Sequence, residues 1–117
     1  RAVPAIALPS FTALNTAFCN DVEPELVFAQ CLMGLGKKDD ILLCISTSGN
    51  SKNVVAAALT AKALGLKTIG LTGKTGGRLK SICDICVCVP ETETFKVQEL
   101  HLPVYHYLCA RVEEKLF

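Results

Sequence analysis

The sequence has no excess of either charge, no long apolar run and no export signal. Its 12 Lys and Arg residues nearly balance its 11 Asp and Glu residues, which excludes a nucleic-acid binder that works by bulk charge. Its apolar stretches fall well short of the roughly 20 residues that span a membrane, and no signal-peptide pattern opens the chain. Because 50% of its residues are hydrophobic and 20% are charged, the chain is not disordered. We expect one domain, residues 1–117, in the cytoplasm.

A disulfide framework and a complete zinc motif are also missing. The seven cysteines are odd in number and mostly flanked by apolar residues, unlike those of a secreted scaffold, which indicates a reducing compartment. Cys83 and Cys86 form a CxxC motif, but a structural zinc site needs a second pair of ligands. We interpret residues 85–89 as a buried strand whose cysteines act as small hydrophobic residues, with metal or redox chemistry as the alternative.

Short apolar runs without charged residues are typical of parallel strands covered on both faces. Four such runs occur, at residues 3–8, 41–45, 68–71 and 85–89. Segments with helical spacing occupy residues 25–34, 51–64 (followed by Gly65) and 95–116. Strands that alternate with helices of this length predict an α/β fold, a three-layer α/β/α sandwich on a four-stranded parallel sheet.

The segment after the second run, Ser46-Thr-Ser-Gly-Asn-Ser51 (the serine loop), places four hydroxyl groups and a glycine between a strand and a helix. Ligands of parallel α/β sheets bind at the carboxyl ends of strands, and a helix start offers N–H groups that suit a phosphate. The alternative is that Asn50 or Ser51 is only a helix cap within a polar turn. We favour a phosphate site, because one cap does not require four hydroxyl groups.

A second loop, Thr72-Gly-Lys-Thr-Gly-Gly77 (the glycine loop), follows the next strand. A nucleotide P-loop needs a further glycine ahead of Gly-Lys-Thr, and Thr68 stands there, inside the strand. A GxGxxG dinucleotide motif is absent as well. We interpret the glycine loop as a tight turn before a short helix that starts near Gly77.

Two histidines lie in the last helical segment. His106 follows Gln98 by eight residues, which puts the two side chains about 80° apart around an α-helix. His101 points about 140° away from His106. A lone helical histidine is more often a packing or surface residue than a functional one.

Taken in order, these motifs resemble the sugar isomerase (SIS) domain family, and within it the phosphoheptose isomerases. The likeness runs over essentially the whole chain. It rests on Asn20-Asp21, the serine loop, the glycine loop, Val89-Pro90, and Gln98-Glu-x-His101 followed by His106.

The resemblance implies isomerisation of a ketose phosphate to an aldose phosphate through an enediol. The expected reaction is sedoheptulose 7-phosphate to D-glycero-D-manno-heptose 7-phosphate, in the synthesis of lipopolysaccharide precursors. The resemblance also implies that Asn20 and Asp21 contact sugar hydroxyls. The side chains expected to hold the substrate phosphate are those of Ser46, Thr47, Ser48 and Ser51.

For the last helix, the resemblance implies that Gln98 contacts the substrate. In zinc-containing members Gln98 and His106 would bind one zinc ion per subunit, and otherwise His106 would be the acid–base group opposite a glutamate. The implied assembly is a homo-oligomer, a tetramer or a dimer, with no direct contact to nucleic acid or membrane.

The family also begins with a strand that ends in Asn-Gly-Gly-Ser and a helix that carries the catalytic glutamate, and neither is found here. We therefore expect either an N-terminally incomplete chain or a degenerate relative without catalysis. The alternative function is a non-catalytic SIS module that senses a sugar phosphate or binds a partner protein such as a replication initiator. Such a module would keep the serine loop but would not need Gln98 together with His106.

Overall fold

The computed structural model describes residues 2–117 as helices packed on a small sheet. The strands are β1 (Ile41–Ile45), β2 (Lys67–Thr72) and β3 (Ile85–Cys88). The helices are α1 (Thr12–Asp21), α2 (Val27–Leu35), α3 (Lys52–Leu64), α4 (Leu79–Ile82) and α5 (Thr94–Leu116), with 3-10 turns at Leu8–Ser10 and Pro24–Leu26. The helices predicted at residues 51–64 and 95–116 are confirmed to within one residue, whereas α1 was not predicted from the sequence.

The sheet is parallel throughout and has the strand order β1-β2-β3. Leu43 of β1 pairs with Ile69 of β2, which in turn pairs with Ile85 of β3. The carboxyl ends of the strands therefore meet at one edge of the sheet, where the serine loop leaves β1 and the glycine loop leaves β2. The predicted α/β class with a parallel sheet is confirmed.

The prediction of a fourth strand at residues 3–8 is wrong. Residues 2–7 have no regular secondary structure, and Leu8 begins a 3-10 turn. A strand needs a neighbour for its backbone N–H and C=O groups, and no strand among the described residues pairs with this segment. Pro4 also removes one backbone donor, and Pro9 favours the turn that follows. The strand predicted at residues 3–8 rested on apolar composition alone, and no strand within residues 2–117 pairs with it.

One face of the sheet is covered by α3. Cys44 of β1 is 2% exposed and packs against Val55 and Ala58 of α3 and Leu79 of α4. A neighbouring cluster joins α2 to α3 through Leu32, Ala61 and Leu66. Small residues on the buried side of α3 allow the helix to lie close to the strands, which steadies the junction between β1 and α3.

The other face of β1 is uncovered among the described residues. Ile41, Leu43 and Ile45 are 66%, 40% and 48% exposed, and Ile85 of β3 is 60% exposed. Side chains alternate between the faces of a strand, so the three β1 residues lie on the face opposite Cys44. The expectation that β1 would be covered on both faces holds for one face only.

A carboxylate joins the beginnings of β2 and β3. Asp84 accepts hydrogen bonds from the backbone N–H and the hydroxyl of Thr68, at 2.8 and 2.9 Å. The Thr68 N–H and then the Thr68 hydroxyl hold the pKa of the Asp84 carboxyl below its ordinary value. This pair aligns the two strands at the edge of the sheet away from the two loops.

The cysteines carry no disulfide within residues 2–117. Cys86 and Cys88 are half-buried on β3 with their Sγ atoms 3.8 Å apart, which confirms the short strand predicted there. Burial raises the pKa of the Cys44 thiol to about 12. Across the same residues, no helix combines the length and apolar character that crossing a bilayer requires.

Candidate active site

The serine loop turns the chain from β1 into α3. Ser46 continues the strand pairing, because its N–H donates to the Leu71 carbonyl at 3.1 Å. Gly49 N–H then donates to the Ser46 carbonyl at 3.0 Å and closes a β-turn. Ser46 is 6% exposed, whereas Ser48 and Ser51 are exposed at the start of the helix.

The structure argues against Ser51 as only a helix cap. Ser51 occupies the N-cap position of α3, but its hydroxyl makes no capping hydrogen bond. Its Oγ lies 2.9 Å from Ser46 Oγ instead, so the two hydroxyls bond each other. The first turn of α3 contains no acidic residue. The partial positive charge of the helix start therefore remains available to an anion.

The glycine loop packs directly against the serine loop and is more than the tight turn that was predicted. Gly73 N–H donates to the Thr47 carbonyl at 2.9 Å, and Leu79 N–H donates to the Gly49 carbonyl at 3.1 Å. Gly49 and Gly76 have φ values of 67° and 75°, and a Cβ on Gly49 would lie 2.5 Å from the Gly76 carbonyl carbon. The two loops thus interlock backbone to backbone. The neighbouring glycines 76 and 77 were the sequence signal for this contact.

His101 fastens α5 to the carboxyl end of β2. It is 2% exposed, and its Nε2 lies 3.1 Å from the Thr72 carbonyl oxygen. Val97, one turn earlier, is fully buried, and its Cγ2 would be 3.1 Å from a Cβ on Gly73. The first turns of α5 therefore lie beside the glycine loop, and through it they adjoin the serine loop.

The two predicted site residues of α5 lie eight residues apart on one continuous helix. Gln98 is exposed and lies between Val97 and His101, at the end of α5 that adjoins the loops. His106 is also exposed, and it stands five residues after His101, about 7.5 Å further along the helix axis. Its ring packs edge-on against Tyr105 with 5.2 Å between centroids. No hydrogen bond or ion pair within the described residues joins His106 to the serine loop.

Asn20 and Asp21 are exposed at the end of α1. The 3-10 turn Pro24–Leu26, just after them, contacts the first turn of α3 through an ion pair of 2.6 Å between Glu25 Oε1 and Lys52 Nζ. A shallow groove at the start of α3 is lined by Pro24, Glu25, Lys52 and Asn53. The last two of these residues directly follow Ser51 in the sequence. The segment that carries Asn20 and Asp21 therefore leads to the start of α3.

The described residues do not by themselves complete a zinc site. Structural zinc takes four protein ligands, and catalytic zinc takes three plus water or substrate. Within residues 2–117, no three His, Cys, Asp or Glu side chains converge closely enough to hold a metal ion. Gln98 and His106 supply at most two ligands, on one helix.

A hydroxyl-rich loop at the start of a helix, at the carboxyl edge of a parallel sheet, is an arrangement typical of α/β proteins that bind anionic ligands. The family model of the SIS domain matches residues 2–73. The chain belongs to the SIS domain family.

Two relatives and a solved structure to which this chain is similar carry the name phosphoheptose isomerase. The phosphoheptose isomerase of Nitratiruptor sp. is 49% identical over 114 residues, which are 97% of this chain and 61% of the relative. The phosphoheptose isomerase of Akkermansia muciniphila is 40% identical over 99% of this chain and 61% of its own length. The solved phosphoheptose isomerase of Francisella tularensis is 41% identical with a TM-score of 0.88, over 92% of this chain and 58% of that one. This chain thus spans about three fifths of the length of these proteins.

Proposed function

We propose that this chain works in a phosphoheptose isomerase that converts sedoheptulose 7-phosphate to D-glycero-D-manno-heptose 7-phosphate. The observation that carries the proposal is the serine loop, whose hydroxyl groups adjoin the start of α3, where Ser51 makes no capping bond and the first turn holds no acidic residue. The relatives and solved structures with that name support the choice of substrate. The product would enter the synthesis of lipopolysaccharide precursors.

The serine loop is the proposed phosphate site. A phosphate ester carries about two negative charges near neutral pH and three acceptor oxygens, so it needs donors and no nearby carboxylate. Hydroxyl and N–H donors at a helix start meet the first need. The Glu25 carboxylate, beside the start of α3, is paired with Lys52. The residues proposed to supply the donors are Ser46, Thr47, Ser48 and Ser51.

The proposed chemistry moves a proton between two neighbouring sugar carbons through an enediol. His106 would be the acid–base group, since imidazole exchanges protons near neutral pH, or, together with Gln98, a ligand of zinc. Gln98 would contact the sugar, as would Asn20 and Asp21. Their support is that Gln98 directly follows Val97, which packs against Gly73 of the glycine loop, and that the segment after Asp21 contacts the start of α3.

The finer architecture is also a proposal. We propose that residues 1–117 form one SIS domain, a three-layer sandwich of the flavodoxin or Rossmann type, which acts in the cytoplasm as a homo-oligomer. The packing of α3 on one face of the sheet supports the layering. Leu102, Tyr107 and Val112 of α5 are 46%, 64% and 53% exposed, and such apolar surface suits a contact between subunits.

The phosphate site can be tested with one matched pair of serines. Ser48→Ala should weaken binding of sedoheptulose 7-phosphate by about 1–3 kcal/mol, because a charged ligand loses one donor. Ser81→Ala is the control, since Ser81 is also exposed and its hydroxyl donates to the Arg78 carbonyl, at 3.0 Å, outside the serine loop. Equal affinities of the two variants by calorimetry would refute the assignment of the loop.

Solvent exchange then separates the isomerase from a non-catalytic sugar-phosphate sensor. In heavy water, an enediol mechanism replaces a carbon-bound hydrogen of the sugar with deuterium. Mass spectrometry detects the increase in mass. Binding of the sugar phosphate together with exchange supports the isomerase. In a full-length protein that contains this chain, binding without any exchange favours the sensor module.

A further inference from the structure

The side chain of Asn50 is hydrogen-bonded both to the serine loop and to the residue that follows the glycine loop. We propose that Asn50 is a positioning residue, whose amide sets the serine loop in its phosphate-binding shape by tying it to the glycine loop. The inference rests on the proposed phosphate site and adds a residue to which no substrate contact is assigned.

Both ends of the Asn50 amide are engaged. Nδ2 donates to the Ser48 carbonyl at 3.1 Å, within the serine loop. Oδ1 accepts from the N–H of Arg78, the residue directly after the glycine loop, at 3.0 Å. One planar group thereby joins two backbone segments that are 28 residues apart in the sequence.

The same residue also orients the hydroxyl of Ser48. The backbone N–H of Asn50 donates to Ser48 Oγ at 3.1 Å. Because that hydroxyl oxygen already accepts a hydrogen bond, its own hydrogen is free to be donated outward. An incoming phosphate oxygen would meet a hydroxyl that is held in place by Asn50.

The geometry favours asparagine over its nearest substitutes. A Cβ on Gly77 would lie 2.8 Å from Asn50 Oδ1, so the amide rests against bare backbone. Aspartate would keep the acceptor for Arg78 N–H, but it would face the Ser48 carbonyl without a donor and bring a negative charge to the anion site. Alanine would remove both bonds.

The test measures phosphate affinity and the link between the loops separately. Inorganic phosphate is titrated into the protein, and the amide resonances of Gly49 and Ser51 report its dissociation constant. Hydrogen exchange of the Arg78 amide reports the link. Asn15→Ala is the matched control, because the Asn15 amide ties α1 to the preceding turn through the carbonyls of Leu8 and Pro9, at 3.3 and 3.0 Å, with no bond to either loop.

Asn50→Ala should raise the dissociation constant for phosphate about tenfold and speed exchange at Arg78, whereas Asn15→Ala should change neither. Asn50→Asp should keep Arg78 protected and yet bind phosphate more weakly than Asn50→Ala does. A purely structural role would not give that split between exchange and affinity.

Two results would overturn the inference, and they are distinguishable. Wild-type affinity in Asn50→Ala, with the Arg78 amide unprotected, would leave the phosphate site standing and remove the role of Asn50. Failure of the wild-type protein to bind phosphate at Gly49 and Ser51 would remove the proposed site and the inference with it.

Discussion

Replacing Gly49 by alanine tests whether the two loops interlock. The left-handed φ of 67° alone costs an alanine about 1–2 kcal/mol. The new Cβ would also lie 2.5 Å from the Gly76 carbonyl carbon, which is backbone and cannot rotate away. Separating the loops would strain the Leu79 N–H bond to the Gly49 carbonyl, worth about 1 kcal/mol. We expect Gly49→Ala to lower the free energy of unfolding by about 3 kcal/mol.

Two other glycines isolate the parts of that cost. Gly65 ends α3 with φ 81°, but a Cβ there meets only the Lys38 side chain, at 3.2 Å from its Cγ. Gly65→Ala should therefore cost about 1 kcal/mol, the backbone part alone. Gly34 lies in α2 with nothing within 4 Å of its Cβ position, so Gly34→Ala should add about 0.5 kcal/mol of stability.

Urea denaturation measures all three variants, with equal slopes required for a direct comparison. The loss of unfolding free energy in Gly49→Ala is compared with that in Gly65→Ala. Both glycines have positive φ, so the backbone cost cancels and the difference gives the cost of separating the loops. A difference below about 0.5 kcal/mol would show that the loops separate without cost. The interlock would then play no part in shaping the serine loop.

Three further predictions concern single side chains. The hydrogen bonds from Thr68 lower the pKa of Asp84 from 3.8. They therefore stabilise the folded protein above that pH, and this stabilisation is lost as the pH falls through the lower folded pKa. In acid denaturation, the free energy of unfolding of Asp84→Asn should consequently fall less steeply than that of the wild-type protein. His101→Ala should cost about 2–3 kcal/mol in thermal unfolding, because it empties a buried site, whereas His106→Ala should leave stability unchanged. In a full-length isomerase that contains this chain, His106→Ala should also abolish isomerisation; inactivity of the His101 variant alone would reverse the assignment. Cys44, with a pKa of about 12, should resist alkylation at pH 8 while the exposed Cys109 reacts, as peptide mass spectrometry would show.

Local signals were sufficient to predict most of the elements around the site. The run at Ile41–Ile45 became a strand with the predicted ends, and the stop signal at Gly65 ended α3 in the left-handed conformation. Both features depend on neighbours in the sequence: apolar residues without a break, and a glycine after helical spacing. The position of the serine loop at a strand–helix junction followed from them.

Features that depend on distant parts of the chain were not predictable in this way. Residues 3–8 have the composition of a strand, but pairing requires a partner that composition does not supply. The two histidines differ in burial for a similar reason. His101 is buried against the end of β2, where its Nε2 meets the Thr72 carbonyl, and helical spacing does not reveal that contact. The amide of Asn50 likewise acquires its role from Arg78, the residue that follows the glycine loop.

Backbone groups do most of the work of holding the candidate site together. The Thr47 carbonyl accepts from the glycine loop and the Gly49 carbonyl accepts from the start of α4. Lys74 N–H donates to the Glu91 carbonyl at 2.9 Å, which ties the glycine loop to the segment before α5. The exposed hydroxyl of Ser48 therefore carries little of the fold. Its replacement should weaken ligand binding with little loss of stability, whereas changes at Gly49 should damage both. Such a division between supporting backbone and free side chains is what a ligand-binding loop on a rigid sheet requires.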